Sequence, residues 1–306
     1  VRKLLEIVVS SKKGGSERKE QVAMAEAVEA AAASGKHLVV EAGTGTGKSI
    51  TYLVVGINAA VKRGEGPVVV ATKTKLLQNQ LFDDLPGIAE ALTEELGRTP
   101  TYARLKGREN YLCLNRANNV KTKFADAGDD VVIDTHTQTL LEAAEREGWS
   151  GERDDLTSSV SKDAWKNFSV SSSDCIGAKR CPFAQKCFSE LARARAAQVD
   201  IVVVNHKSLA IELLNNYSVP VVPAHRLRII DEAHEIAEVF TETLTVSMSE
   251  YSLLSTWRLT QSLDEGESLS GSSRFMAFKV AVENLFGALR GMDSNASRKV
   301  DVAAEL

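Results

Sequence analysis

The chain has 306 residues, of which 43% are apolar and 25% charged, and a net charge of −4. That is enough for a sizeable core and more than one domain. No stretch approaches the roughly 18 consecutive apolar residues of a membrane span. The charge balance carries no overall basic signature of nucleic-acid binding, although a local positive groove suffices for that. The apolar run at residues 4–9 is followed by Lys12 and Lys13, without the pattern of a signal peptide. A reducing, cytoplasmic setting is expected, in which four cysteines favour metal ligation or burial over disulfides.

Residues 17–33 are rich in Ala, Glu and Gln and lack Pro and Gly, which predicts a helix with Ser16 as N-cap. Residues 37–41 read as a short strand running into a glycine-rich loop, and residues 48–61 as the helix after it, weakened by Gly56. A β-branched strand is predicted at 67–72. A helix follows at 74–85, closed by Pro86-Gly87, then a second short helix at 90–96 and a strand at 102–105. Residues 131–133 and 139–147 carry weaker patterns. Residues 148–174 turn polar and loop-rich, as in an insertion. A helix at 188–197, a buried strand at 199–204 and a strand at 227–230 restore the alternation of a parallel α/β sheet. Beyond residue 240 the pattern changes again: a helix at 250–262, a polar linker at 263–273, and an amphipathic helix at 275–289 built on Phe275, Phe278, Val282, Leu285, Phe286 and Leu289.

The stretch Glu41-Ala42-Gly43-Thr44-Gly45-Thr46-Gly47-Lys48-Ser49 has the composition of a phosphate cradle. Glycines let backbone N–H groups converge on phosphate oxygens, and the following helix adds its dipole. Lys48 reaches the outer phosphates, and Ser49 offers a hydroxyl to magnesium. The first motif position is Ala42 instead of Gly. Far downstream, Asp231-Glu232 follows the apolar strand at 227–230, so both carboxylates lie at the carboxyl end of a parallel strand, where ligands bind. Asp231 is the candidate magnesium ligand and Glu232 the candidate general base. A glycine turn and a solvated helix cap are the bland alternatives, and each is weakened by the presence of the other motif.

Cys175, Cys181 and Cys187 are evenly spaced, and Cys113 lies upstream. Paired Cys-x2-Cys zinc knuckles are absent. The wider spacing leaves room for an iron–sulfur cube, but spacing alone does not separate iron–sulfur from zinc, and four buried free thiols are the bland alternative. Lys179, Arg180, Lys186, Arg193 and Arg195 surround the cluster with only Glu190 opposing them, either as a track for a sugar-phosphate backbone or as a solvated face. Phe183, Phe188 and Tyr111 are candidates for base stacking, more readily read as braces.

Taken in order, these motifs resemble the DinG branch of the XPD-like iron–sulfur helicases of superfamily 2, with actinobacterial members nearest. The segments that carry the resemblance are Arg18 to Gln21, the phosphate loop, Thr72-Lys73-Thr74 with Gln80, Lys106-Gly107-Arg108-Glu109-Asn110-Tyr111-Leu112-Cys113, the three later cysteines, Val204-Asn205-His206 and Asp231-Glu232-Ala233-His234. The resemblance implies an α/β fold: a RecA-like P-loop NTPase domain with an inserted iron–sulfur cluster domain and the beginning of a mostly helical arch domain. The implied division is 1–106 and 198–245 for the RecA-like domain, 107–197 for the cluster domain, and 246–306 for the partial arch. It implies an ATP-dependent DNA helicase using ATP, magnesium and a [4Fe-4S] cluster, translocating 5′→3′ on single-stranded DNA and serving DNA repair. Arg18 and Gln21 match the adenine-recognition motif; Gly43, Thr44, Gly45, Thr46, Gly47, Lys48 and Ser49 hold the phosphates. Cys113, Cys175, Cys181 and Cys187 match the cluster ligands, and Asn110 and Tyr111 lie in the segment carrying the first of them. His234 couples the nucleotide site to movement. Thr72, Thr74 and Gln80 lie in the strand-contacting motif, joined by Lys186 and Arg193 as DNA-contacting candidates. The implied partners are single-stranded, forked or displaced-strand DNA and a single-stranded DNA-binding protein, for a monomer without membrane attachment.

The second RecA-like domain of such a motor, with its arginine finger, does not occur in this sequence. The expectation is therefore an N-terminal portion of a longer helicase, binding nucleotide weakly, hydrolysing it poorly and not translocating by itself. The alternative is a metal-stabilised module that binds nucleotide and nucleic acid without motor activity. A scaffold with a vestigial phosphate loop is disfavoured because Lys48, Ser49, Asp231 and Glu232 are all present.

Overall fold

The structure, a computed structural model, describes residues 1–12, 18–43, 45–64, 66–127, 133–172, 174–214, 221–245, 250, 253–254 and 273–290. Two compact units divide the chain, Val1–Thr243 and Leu244–Leu306. The first is built on a parallel sheet of β1 (Val68–Thr72), β2 (Tyr102–Arg104), β3 (Ile201–Asn205) and β4 (Leu227–Ile230), in the order β2-β3-β1-β4. Val68 pairs with Ile201 on one side and Leu227 on the other, so the central strand β1 is bonded along both edges. Its five residues are all buried, as expected of a parallel strand covered on both faces.

The strand period of two sorts the side chains between two layers. Val68, Val70, Ile201 and Val203 face a core filled by α1 (Arg2–Ser11), α2 (Lys19–Ser34), α3 (Lys48–Lys62) and α4 (Lys75–Leu96). Val69, Ala71, Val202 and Val204 face the opposite layer, where Ala196 of α8 (Phe188–Ala196) and Leu209 of α9 (His206–Leu214) pack. Gly56, in the middle of α3, lets that helix lie on the sheet: a Cβ there would stand 3.3 Å from Val68 and 3.4 Å from Ile201 and Ile229. A residue that weakens the helix in isolation thus sets its distance from the strands.

Between β2 and β3 lies a third cluster, independent of the sheet. Leu112, Ala117, Leu140, Val160, Trp165 and Phe168 bury one another, supplied by α5 (Leu114–Ala127), α6 (Thr135–Glu145) and α7 (Lys162–Phe168). The polar stretch at 148–174 therefore closes a core through two aromatic residues. The first unit ends in α10 (Ile236–Leu244). In the second unit α11 (Ser273–Arg290) covers the predicted amphipathic helix, with Val282 buried and Phe278 and Leu285 exposed.

The structure departs from the sequence reading in three places and adds an element at residues 4–9. Residues 37–41 form no strand: Leu38, Val39 and Val40 are 44%, 93% and 40% exposed, because no neighbouring strand offers them ladder bonds. The helices expected on either side of Pro86 are one 22-residue helix, α4. Leu81, Leu85, Ile88 and Leu92 stay on its buried face, and that continuous burial outweighs the missing proline donor. The apolar run at 4–9 is part of a helix, with Leu4, Leu5, Val8 and Val9 in the core. The N-cap of α2 is Arg18, and Ser16 lies outside the described residues. Residues 131–132, 263–272 and most of 250–262 also lie outside them. Among the described residues no helix is long and apolar enough to cross a membrane.

Candidate nucleotide site and cysteine cavity

Two of the loop glycines stand in left-handed backbone, Gly45 at φ 75° and Gly47 at φ 81°. Gly47 admits no side chain: a Cβ would fall 1.9 Å from Nε2 of Gln21. Arg18 donates from Nη1 to the carbonyl of Gly45 (2.6 Å), and Gln21 lies 3.5 Å from the carbonyl of Gly47. The two residues matched to adenine recognition thus also brace the loop from α2. Thr46 Oγ1 donates to the carbonyl of Gly43 (2.8 Å), and Gly47 caps α3. Thr44 lies outside the described residues.

The acidic pair arrives from β4. Lys48 Nζ lies 3.5 Å from Glu232 Oε1, so groups 184 positions apart meet at one point. Tyr52, one turn along α3 and 4% exposed, donates its hydroxyl to Asp231 Oδ2 (3.1 Å). Burial and the Asp231 carboxylate hold that phenol far above its ordinary range, so it is a permanent donor. Ser49, Gln80 and Asp231 line a common cleft of about 380 Å³. Ser49 and Asp231 thus both offer oxygen atoms to this cleft.

The Asp231–Glu232 turn is unusual. Glu232 adopts φ 51°, ψ 45°, the only left-handed non-glycine residue among those described. Such a conformation costs on the order of 1–3 kcal/mol and must be held by its surroundings. The Asp231 amide donates to the carbonyl of Ala71 (2.9 Å), and Nε2 of His206 meets the carbonyl of Asp231 (2.8 Å). His234, matched to coupling, is exposed, with Nδ1 3.6 Å from Glu232 and Nε2 3.6 Å from Glu235. Glu235 also takes an ion pair from Lys73 (2.8 Å), which pulls its carboxyl below the usual range. The loop after β1 is therefore tied to the turn after β4.

All four cysteines line a single cavity of about 160 Å³, together with Arg108, Tyr111, Leu112 and Phe183. Cys113 stands at the start of α5, with its amide on the carbonyl of Phe168 (2.6 Å). Cys175 and Cys181 lie on the loop before α8. That loop is folded by bonds from Cys181 to Gly177 (3.0 Å) and from Ala184 to Cys181 (3.2 Å), and Cys187 caps α8. No disulfide links the four. Burial raises the Cys113 thiol, and the α5 amides of Arg116 and Asn115 oppose it. Among the described residues no three His, Cys, Asp or Glu side chains are arranged to hold one metal ion. The four thiols share the lining of this one cavity.

The cavity is joined to the sheet through charge. Lys106, whose side chain is 1% exposed, pairs with Glu152 (3.0 Å) and Asp154 (2.7 Å), and Arg104 of β2 pairs with Glu152 (2.7 Å) and Asp155 (3.0 Å). Gly151 lets Phe188 pack against the same segment: at φ 80° a Cβ there would meet Phe188 at 2.1 Å. Arg108 donates to Ser189 (2.9 Å) and pairs with Glu190. Asn110 accepts from Lys75 (2.5 Å), and Tyr111 is buried with its hydroxyl accepting from the amide of Lys106 (3.2 Å). Trp149 and Phe188 meet edge to face at 5.4 Å. Tyr111 and Phe188 are braces in this arrangement.

The DNA-contacting candidates are dispersed. Thr72 is fully buried with its hydroxyl on the carbonyl of Thr74 (3.1 Å), which leaves it no surface to offer a strand. Thr74 is exposed and caps α4 through Leu77 (3.2 Å). Lys186 is exposed. Arg193 is half-buried; desolvation and neighbouring Arg108 lower its pKa. Tyr52 and the Lys73–Glu235 tie carried no sequence signal, since their meaning depends on pairings across the sheet.

A family model described as DEAD/DEAH box helicase matches residues 19–139. A protein named ATP-dependent helicase DinG from Mycobacterium tuberculosis is 43% identical over 277 residues, covering 86% of this chain and 41% of that protein. A protein named ATP-dependent DNA helicase YoaA from Escherichia coli is 35% identical over 250 residues, covering 79% of this chain and 36% of that one. A protein named ATP-dependent DNA helicase DinG from Salmonella choleraesuis is 27% identical over 226 residues, covering 70% and 30%. The chain thus spans about 41% of the length of the mycobacterial relative. With its phosphate loop, acidic pair and parallel sheet, it is a homologue of the DinG branch of helicases, more similar to the mycobacterial sequence than to the enterobacterial ones.

Proposed function

We propose that this chain forms the ATP-binding wall and the cluster-bearing insertion of an ATP-dependent DNA helicase. The observation that carries the reading is the meeting of Lys48 with Glu232 at 3.5 Å, beside an Asp231 held by Tyr52. A phosphoryl group in the loop takes over Lys48 as its partner and frees Glu232 to accept the proton of the attacking water. Backbone N–H groups at the start of α3 and the Lys48 ammonium take up the charge that develops on the phosphate oxygens. Ser49 and Asp231 would hold a magnesium ion, which would supply further positive charge to those oxygens. Arg18 and Gln21 receive the adenine, and His234, exposed beside Glu232, passes the state of the site onward.

The insertion, residues 107–197, is the proposed cluster domain, with Cys113, Cys175, Cys181 and Cys187 as ligands of a [4Fe-4S] cluster. The shared cavity supports a common ligand for the four thiols. Such a cluster supplies a rigid cross-link among segments that otherwise meet only through short loops. Single-stranded and forked or displaced-strand DNA are the proposed substrates, with Thr74, Gln80 and Lys186 as contacts. Arg193 faces Arg108 and Glu190 and acts through them. Movement 5′→3′, a monomeric state, cytoplasmic placement, a single-stranded DNA-binding protein as partner, a DNA-repair role, and a second lobe completing the site belong to the same proposal. Residues 246–306 are assigned to an arch domain.

Glu232→Gln in the whole polypeptide tests this directly. Nucleotide binding should persist within a few-fold while turnover disappears. Turnover equal to wild type contradicts the base assignment. Binding of nucleotide and strand with no turnover in the wild type itself leaves the non-motor module as the function.

A further inference from the structure

His206 is the first residue of α9 and is fully buried. Its place is set by Asn205, whose side-chain oxygen accepts from the amide (2.9 Å) and the hydroxyl (2.8 Å) of Ser208 and so fixes how the chain leaves β3. From there the imidazole reaches across the end of β1 to β4. Nε2 lies 2.8 Å from the carbonyl oxygen of Asp231. That carbonyl belongs to the peptide immediately before Glu232, the one non-glycine residue in left-handed backbone among those described. The other ring nitrogen, Nδ1, is buried without a hydrogen-bond partner. A buried imidazole that leaves one nitrogen unsatisfied is held for the bond made by the other.

We propose that His206 is a positioning residue of the ATP site: by donating from Nε2 to the Asp231 carbonyl, it holds the strained turn that aims Glu232 at the attacking water. The proposal rests on the hydrolase reading given above and adds a residue to it. The bond is made by the neutral ring with its proton on Nε2, the tautomer a carbonyl acceptor requires. The brace runs sideways along the sheet: Asp231 is gripped at its amide by Ala71 of β1, at its carbonyl by His206 beyond β3, and at its carboxylate by Tyr52 of α3. With both peptide groups and the side chain of Asp231 fixed, the left-handed backbone of Glu232 has little freedom to relax.

Two substitutions in the whole polypeptide test this. His206→Leu keeps an apolar side chain in the pocket and removes the donor; His206→Gln places an N–H near the position of Nε2. His206→Leu should lower kcat for ATP roughly tenfold to a hundredfold, as expected when a reacting group is misplaced by about 1 Å, with KM within about twofold. His206→Gln should recover most of kcat. The Glu235 amide, which donates to the Glu232 carbonyl (3.0 Å), reports the turn without any need for catalysis. Its hydrogen exchange should accelerate in His206→Leu and return in His206→Gln, with β1 and β3 protected throughout. Unchanged Glu235 exchange in His206→Leu overturns the proposal, as does wild-type kcat. Loss of protection across the sheet, with kcat and KM failing together and no rescue by glutamine, also overturns it by showing a merely structural role. Absence of ATP turnover in the wild type contradicts the hydrolase reading instead, and the exchange measurement still decides whether His206 holds the turn.

Discussion

The nucleotide wall and the cysteine cavity are assembled by opposite means. The wall rests on strand ends: His206 and Asp231 follow β3 and β4, which the parallel ladder holds on either side of β1, Lys48 at the start of α3 meets the turn after β4, and hydrogen bonds hold Asp231 at its carboxylate and its carbonyl. The cavity is made of loops. Cys175, Cys181 and Cys187 lie on short turns and line one cavity with Cys113. A site built on a ladder keeps its geometry without its ligand; a site built on loops obtains much of its order from what it binds. Damage to one region should therefore leave the other standing.

The largest expected effect is on the loop-built site. Cys181→Ser should abolish retention of iron on anaerobic purification and suppress unwinding, while ATP affinity changes by no more than a few-fold in equilibrium titration. A parallel collapse of ATP affinity would mean that the two regions are not separable. Lys48→Ala is the reciprocal test: turnover should fall roughly a hundredfold to a thousandfold through lost stabilisation of the phosphate oxygens, with iron content unchanged. Loss of iron in that variant would break the comparison from the other side.

Trp165→Ala probes the core that supports the cavity. Trp165 is 4% exposed and donates from Nε1 to the carbonyl of Glu109 (2.8 Å). The truncation should destabilise the insertion by about 3–5 kcal/mol, seen as an early melting step and partial loss of iron, with the transition of the sheet unmoved. A single shifted transition would show one cooperative unit. The smallest effect concerns pH. The folded-state pKa of His206 lies below its unfolded value, so the unfolded chain binds the extra proton more readily. This residue's contribution to stability is fully present above its ordinary pKa of about 6.5 and falls as pH drops below it. His206→Gln should flatten that decline in chemical denaturation series; an unchanged slope would assign the decline to other groups.

The central strands were legible in the sequence because they are buried on both faces and read as apolar, mostly β-branched runs, as at 68–72 and 201–204. The same rule misplaced residues 37–41: their composition suits a strand, but a strand exists only where a neighbour supplies the ladder, and composition does not carry that information. Pro86 misled in the opposite way, since local propensity marks a helix end while four apolar residues on one face hold α4 together through it. At the sites, the residue types announced phosphate, magnesium and thiolate chemistry. The supporting roles of Tyr52, His206 and Lys73 were silent, although Lys73 and His206 lie in segments that carry the resemblance, because those roles depend on pairings made only where strand ends converge. The basic residues around the cysteines show a further limit: a string of positive charge does not reveal that Arg193 turns inward while Lys186 faces solvent.

Iron and acid-labile sulfide in anaerobically purified protein, with zinc measured on the same sample, test most directly whether the cavity beside the ATP wall holds a cluster. The account predicts about four iron and four sulfide per chain, absent from the Cys181→Ser variant. One zinc per chain without sulfide, from protein made with iron in supply, would contradict it.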